Sequence, residues 1–366
     1  MKKNFLYTSI LLFSIIVFNS CNQNNLPDDP FPSEEIEGCY VVNFGSFGQG
    51  GASISKYDYE IGEMNNFFYQ SQNDGHELLS NIQYASSHND SIFLIGNAVD
   101  QIITVNPFIE QSLNGVTEDI ENPRFFVADG DYLYISCLGT NPDWDIMPDS
   151  YIAKYNIITR SIESKIMVPG GPEGLEIVNG KLYVALNYKN SIVVIDLISE
   201  ELTEITTPAV SSYFVKDNNG NLYFTLLSTF NNFSEETGIG YINTTNDQME
   251  TYYNLENVST SYGSVLQANP DFSKIYIITS AYDANWNLTG AVAEFDVSTN
   301  TFSTENIIDN ISGISGLAVN PSDGDIYVFS AQSTTGVGMM QVYSESGEYS
   351  KEFEVGAFPV GAFFLD

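Results

Sequence analysis

Few residues in this chain have the types and spacing that chemistry needs. His76 and Glu77 form the single local pairing of an imidazole with a carboxylate, the combination a general acid and base would use. They are adjacent, and on an extended chain neighbours point to opposite sides, which weakens the pair as a catalytic unit. Asp143, Asp145 and Asp149 make an acidic stretch that is either a calcium loop or a set of solvated carboxylates. Arg124 is one of only 12 basic residues. It is expected either to fix a ligand's amide or carboxylate or to pair with a neighbouring acid. The two histidines, His76 and His88, and the absence of Cys-x-x-Cys or His-x-x-x-His give no zinc site.

The stretch from Val41 to Gly62 holds Gly45, Gly48, Gly50 and Gly51. A phosphate loop needs a strand leading in and a helix N-terminus leading out to receive the anion. Tyr40-Val41-Val42 supplies the strand. Ala52 to Asp58 then alternates small or polar with apolar residues, which is strand period, and no Gly-Lys-Ser/Thr follows. Strand, glycine loop, strand is a hairpin, so no nucleotide site is expected here.

The chain has 366 residues and a net charge of −35. It begins Met1-Lys2-Lys3, runs largely apolar from Phe5 to Phe18, and reaches Asn19-Ser20-Cys21. That pattern reads as a secretory signal over residues 1–20. Cysteine directly after a small residue resembles a lipobox, which would make Cys21 a lipidated first residue. Residues 21–38 carry Pro27, Pro30 and Pro32 among acids and no periodicity, the mark of a flexible tether. Without residues 1–20 the chain has 10 basic against 47 acidic residues, a net charge of −37. Such a surface repels phosphate backbones and anionic headgroups. Nucleic acid is excluded as a partner, and membrane attachment would rest on the lipid alone.

The elements that must position any site follow from a repeat. A turn followed by apolar–aromatic–apolar recurs with its central aromatic at Tyr40, Phe93, Tyr134, Tyr183, Tyr223, Tyr276 and Tyr327, at intervals of 40 to 53 residues. Asp129-Gly130, Asn179-Gly180 and Asp323-Gly324 precede three of them, supplying the positive φ angles of tight hairpins. A further strand ends in motifs such as Ile152-Ala153-Lys154-Tyr155-Asn156, and a short apolar strand such as Phe125-Phe126-Val127 comes before each aromatic motif. Four strands per period, repeated, are propeller blades. The fold class expected is all-β: a seven-bladed propeller of four-stranded antiparallel blades over residues 39–366. Phe358–Leu365 reads as an innermost strand with no blade after it, and residues 39–69 as outer strands with none before them. Joined, they close the ring and remove an exposed edge. Cys39 and Cys137 then fall on equivalent strands two blades apart, too distant for a disulfide, so two free thiols are expected.

Pro169-Gly170-Gly171-Pro172-Glu173-Gly174-Leu175, then Asn179-Gly180-Lys181-Leu182-Tyr183-Val184-Ala185 and Ser191 to Asp196, resembles the YVTN/YncE-like propeller repeat. The opening stretch, with Asn43, its glycines and Ala52-Ser53-Ile54-Ser55, resembles the outer-membrane lipoprotein branch of that group, whose best-understood members are the BtuG-type cobalamin-capture lipoproteins. The resemblance implies a monomeric, lipid-anchored protein on the cell surface of a Gram-negative outer membrane. It would bind a corrinoid without transforming it and pass it to a TonB-dependent transporter. A corrin is flat and fringed with amides, so its site wants aromatic platforms and neutral hydrogen-bonding groups. The connections between second and third strands, expected on one face around the channel, carry Trp144, Tyr188, Phe230, Tyr282 and Trp286, with Asn141, Asn187, Asn231 and Asn285. The turns into the innermost strands carry His76, Arg124, Glu173, Tyr213 and Tyr262. His76 would coordinate a corrinoid metal ion, act as a base or hydrogen-bond its own turn. No cofactor is expected beyond such a ligand and a structural calcium. The competing expectations are a calcium-dependent lactonase or lyase on the same scaffold, and a glycan- or protein-binding propeller.

Overall fold

The computed structural model describes residues 37–365 other than Gln49, Thr117, 141–144, 260–265 and Asp283. The expectations placed on Cys21, on the tether as far as residue 36, and on Asn141, Asp143, Trp144 and Tyr262 lie outside the described residues; Gly38, expected to end the tether, instead begins the strand Gly38–Asn43.

The described residues form seven antiparallel sheets, six of four strands and one of five. The seven aromatic motifs all lie on the second strand of a blade, for example Ser91–Asn97, Tyr132–Cys137 and Lys181–Leu186. These strands sit between neighbouring blades and are covered on both faces, which is why they read as continuous apolar runs rather than alternating ones. Tyr40, Tyr183 and Tyr276 are wholly buried. Burying each contributes about 1.5–3 kcal/mol on the scale of a large apolar side chain. The Tyr183 phenol donates to Asp247 Oδ1 at 2.5 Å in the next blade, whereas the buried Tyr276 hydroxyl has no hydrogen-bond partner among the described residues. Outer strands such as Ser161–Met167 alternate exposed and partly covered residues, since one face meets water.

The innermost strands are Asn81–His88, Pro123–Asp129, Pro172–Val178, Phe214–Lys216, Leu266–Ala268, Ile314–Val319 and Pro359–Leu365. Each packs on the next in that order, and Pro359–Leu365 packs on both Ile314–Val319 and Asn81–His88, so the ring closes. Closure runs through the expected split blade. Pro359–Leu365 pairs antiparallel with Gly38–Asn43, from Gly38↔Leu365 to Asn43↔Pro359. Tyr40 stacks on Phe363 with ring centroids 5.1 Å apart.

The glycine stretch is the connection between Gly38–Asn43 and Ser53–Tyr57 in this blade, and no helix follows it. Gly45 takes φ +83°, a conformation that costs glycine little. Asn81, at the start of the next innermost strand, staples the loop. Its Nδ2 donates to the carbonyls of Phe44 and Ser46 at 2.9 and 3.0 Å, and its Oδ1 accepts from Gly48 N–H at 2.9 Å.

Three details depart from the sequence reading. A five-residue helix, Phe68–Gln72, sits between the first and second blades, too short to be read from periodicity. The sixth blade has a fifth strand, Ile308–Ser312, paired with Leu288–Asp296. The connection expected to carry Tyr282, Asn285 and Trp286 is only a hairpin tip, because its flanking strands run nine residues each, to Tyr282 and from Leu288.

Cys39 and Cys137 are free and buried. Burial pushes both thiols well above the usual range, so little thiolate exists at neutral pH. Neither should react with Ellman's reagent in the native protein at pH 8, and both should react as urea unfolds it. Fast reaction of either under native conditions would contradict this packing.

Candidate functional site

Three of the sequence-selected residues, Arg124, Glu173 and Tyr213, are grouped at the channel, and a backbone device places them there. Near the start of several innermost strands the pairing register slips by one residue. This happens between Ile82 and Tyr84, between Pro123 and Phe125, and between Pro172 and Leu175. Such a bulge re-aims the side chain it leaves unpaired. The residues at these slips are Gln83, Arg124 and Glu173. In the fifth blade Tyr213 N–H donates to Thr225 Oγ1 at 3.1 Å instead of joining the ladder. Gln83, Arg124, Glu173 and Tyr213 all line a small, solvent-open cavity of about 30 Å³. Tyr84, Phe125 and residues of Pro359–Leu365 complete it.

Arg124 Nε donates to both carboxylate oxygens of Glu173, at 3.0 and 3.2 Å, and Nη1 donates to Gln83 Oε1 at 3.0 Å. Gln83 Oε1 also accepts from Asn97 Nδ2 at 3.2 Å. The pair spans two blades and is largely withdrawn from water, with 23% of the Arg124 side chain and 8% of that of Glu173 accessible. Burial alone would lower the guanidinium's pKa, but the Glu173 carboxylate beside it, with Tyr213, holds it above its ordinary value. Desolvation, then Glu173, pushes the Tyr188 phenol up, while Arg124 pulls it down. Tyr84 lies against Phe125 with centroids 3.9 Å apart, and Phe125 meets Tyr213 edge-on at 6.3 Å. The floor of the channel is therefore aromatic walls around a charge-balanced polar centre.

Tyr188 is half-buried and packs over the preceding turn, where a Cβ on Gly171 would lie 2.4 Å from its ring. Asn187 N–H bonds to Gly171 O at 2.9 Å, and its Oδ1 is buried with no hydrogen-bond partner among the described residues. Phe230, Tyr282 and Trp286 project from their connections, Phe230 wholly exposed and Trp286 81% exposed. Tyr282 and Trp286 share the hairpin tip at 6.0 Å, with Asn285 exposed between them. Phe47 and Phe233, not singled out from sequence, are exposed on the same class of connection. His76 is elsewhere. It sits exposed after the short helix, its N–H on Asn73 O at 2.9 Å. Asn73 is bound to Ile109 O and Gln111 N–H, on the outer turn of the second blade. Among the described residues, no three His, Cys, Asp or Glu gather as a set able to hold a metal ion.

Gln83 was missed by sequence reasoning, yet a signal existed. It stands ten residues before Phe93, as Arg124 does before Tyr134, Glu173 before Tyr183 and Tyr213 before Tyr223.

A family model described as "Domain of unknown function (DUF5074)" matches residues 37–365. No curated protein matches the chain. Among solved structures it is similar to a quinonprotein alcohol dehydrogenase-like protein from Bacteroides thetaiotaomicron, with a TM-score of 0.66 and 16% identity over 90% of this chain and 78% of that one. It is also similar to the periplasmic gluconolactonase of Pseudomonas aeruginosa, with a TM-score of 0.64 and 14% identity over 90% and 99%. A functionally unknown protein from Desulfotomaculum acetoxidans has a TM-score of 0.59 and 12% identity over 89% and 98%. At these identities the likeness is one of fold.

Proposed function

This chain belongs to the DUF5074 family, and we propose that it is a ligand-capture propeller of the cell surface. It would hold a flat, neutral, amide-bearing molecule of corrinoid type on the channel face without transforming it. In this reading Cys21 carries the lipid anchor, and a TonB-dependent outer-membrane transporter receives the ligand. The observation that carries it is the pairing of exposed aromatics on connections of one class with a charge-balanced channel floor. Solvent-exposed rings suit a large planar face, and a neutralised floor suits a neutral ligand. The cavity, about 30 Å³, is far smaller than an ordinary ligand pocket, so a corrin would lie across the mouth and send at most the tip of a side arm inward.

A second reading is hydrolysis of a sugar lactone. It is favoured by the carboxylate of Glu173 lining the cavity and by the scaffold shared with a gluconolactonase. The two readings separate in one experiment. Calorimetry of the purified protein against cyanocobalamin, cobinamide and haem should give saturable heat with a corrinoid. Phe230→Ala or Trp286→Ala should weaken it by about 0.5–1.5 kcal/mol beyond lost area, if that ring stacks on the ligand. No heat with any of the three would sink the corrinoid reading, and turnover of gluconolactone lost in Glu173→Gln would establish the enzyme.

A further inference from the structure

We propose that Glu173 sets the charge of the group the channel floor accepts: by neutralising Arg124 it makes the floor a receptor for an uncharged amide and closes it to carboxylates. The inference rests on the reading of the channel as a ligand site, though not on the identity of the whole ligand.

An arginine in a concave site ordinarily recruits a carboxylate or phosphate through its planar fork. Here that place is already filled from within the chain. Both Glu173 oxygens accept from Arg124 Nε, and Gln83 Oε1 occupies Nη1. Glu173 cannot readily swing aside, because it is itself buried. Its backbone carbonyl accepts from Ser136 Oγ at 2.7 Å in the third blade. A second carboxylate entering the cavity would meet Glu173 as a like charge in a partly desolvated space, where such repulsion is strong. An amide meets no such penalty. Its carbonyl can accept from the part of the guanidinium still exposed to the cavity, and its N–H groups can donate to the Glu173 carboxylate. The Tyr84, Phe125 and Tyr213 side chains line the same small space, so only the amide head would enter it and the alkyl stem would stay toward the mouth.

An ion pair that served only to clamp the third blade to the fourth would not care what the cavity binds. Charge selectivity is therefore the readout. The probes are propionamide and propionate, a matched amide and acid, followed by saturation-transfer NMR on the intact purified protein. The native protein should show transfer to propionamide and at least tenfold less to propionate. Glu173→Gln, which leaves Arg124 without its counter-charge, should reverse that order. Arg124→Gln/Glu173→Gln, neutral at both positions, should restore the preference for the amide. If Glu173→Gln does not fold in chloride buffer, propionate should restore its folding and propionamide should not. Binding of propionate by the native protein, an unchanged preference in folded Glu173→Gln, or rescue by both probes or by neither overturns the proposal. Failure of the corrinoid reading is scored separately, since cyanocobalamin can give no heat while the amide preference stands.

Discussion

A chain ending at Ala357 should fail to form a stable monomer. That truncation removes Pro359–Leu365, the innermost strand of the split blade, and leaves Gly38–Asn43 with one flank open. Val360 and Phe363 are buried in the native ring. Losing them costs about 1.5–3 kcal/mol each, and each lost ladder hydrogen bond about 1 kcal/mol more. With six residue pairs in that ladder, the sum is on the order of 10 kcal/mol, comparable to the whole stability of a typical domain. The freed edge is also a template for pairing with another chain. Size-exclusion chromatography should show aggregate, and thermal unfolding should lose its cooperative transition. A truncated protein that elutes as a monomer with the native melting temperature would mean that these strands do not close the ring.

Replacing Arg124 by Met should destabilise the protein by about 2–4 kcal/mol. Breaking a buried ion pair typically costs about 3–5 kcal/mol, because it leaves an uncompensated charge. The lower figure allows for the 23% of the arginine side chain that water still reaches. The cost should be largely recovered when Glu173→Met is added, since apolar residues of similar volume often replace such a pair without loss. Urea unfolding of the two single variants and the double one measures this as a coupling energy. A single-variant loss below about 1 kcal/mol, or a double variant as unstable as the sum of the singles, would show that the pair is solvated and weak.

Much of the fold was legible in the sequence. The second strand of each blade is buried on both faces, so its Tyr40-type or Phe93-type centre had to be flanked by apolar residues, and seven such runs counted seven blades. Asp-Gly and Asn-Gly turns marked the hairpins. The unpaired run at Phe358–Leu365 announced the closure that Gly38–Asn43 completes. The free thiols followed from the repeat alone. These features are local or recur along the chain as one short motif, and a linear reading can register both.

The site depended on tertiary structure for two physical reasons. A bulge shifts strand register by one residue, so the alternation that aims side chains elsewhere fails at Gln83, Arg124 and Glu173. Arg124 and Glu173 also lie 49 residues apart, and only the packing of adjacent innermost strands brings the guanidinium onto the carboxylate. The sequence left open whether Arg124 meets a ligand or an acid; the fold assigned it to Glu173. In the same way His76, placed by sequence in a turn toward an innermost strand, is held on the outer turn of the next blade through Asn73. The length of the hairpin carrying Tyr282 and Trp286 was hidden too, because its second strand, Leu288–Asp296, also pairs through Thr289, Gly290 and Val292 with the distant Ile308–Ser312. Local chemistry determined the strands, the turns and their number, whereas the direction in which the functional side chains point was decided where the strands slip and the blades meet.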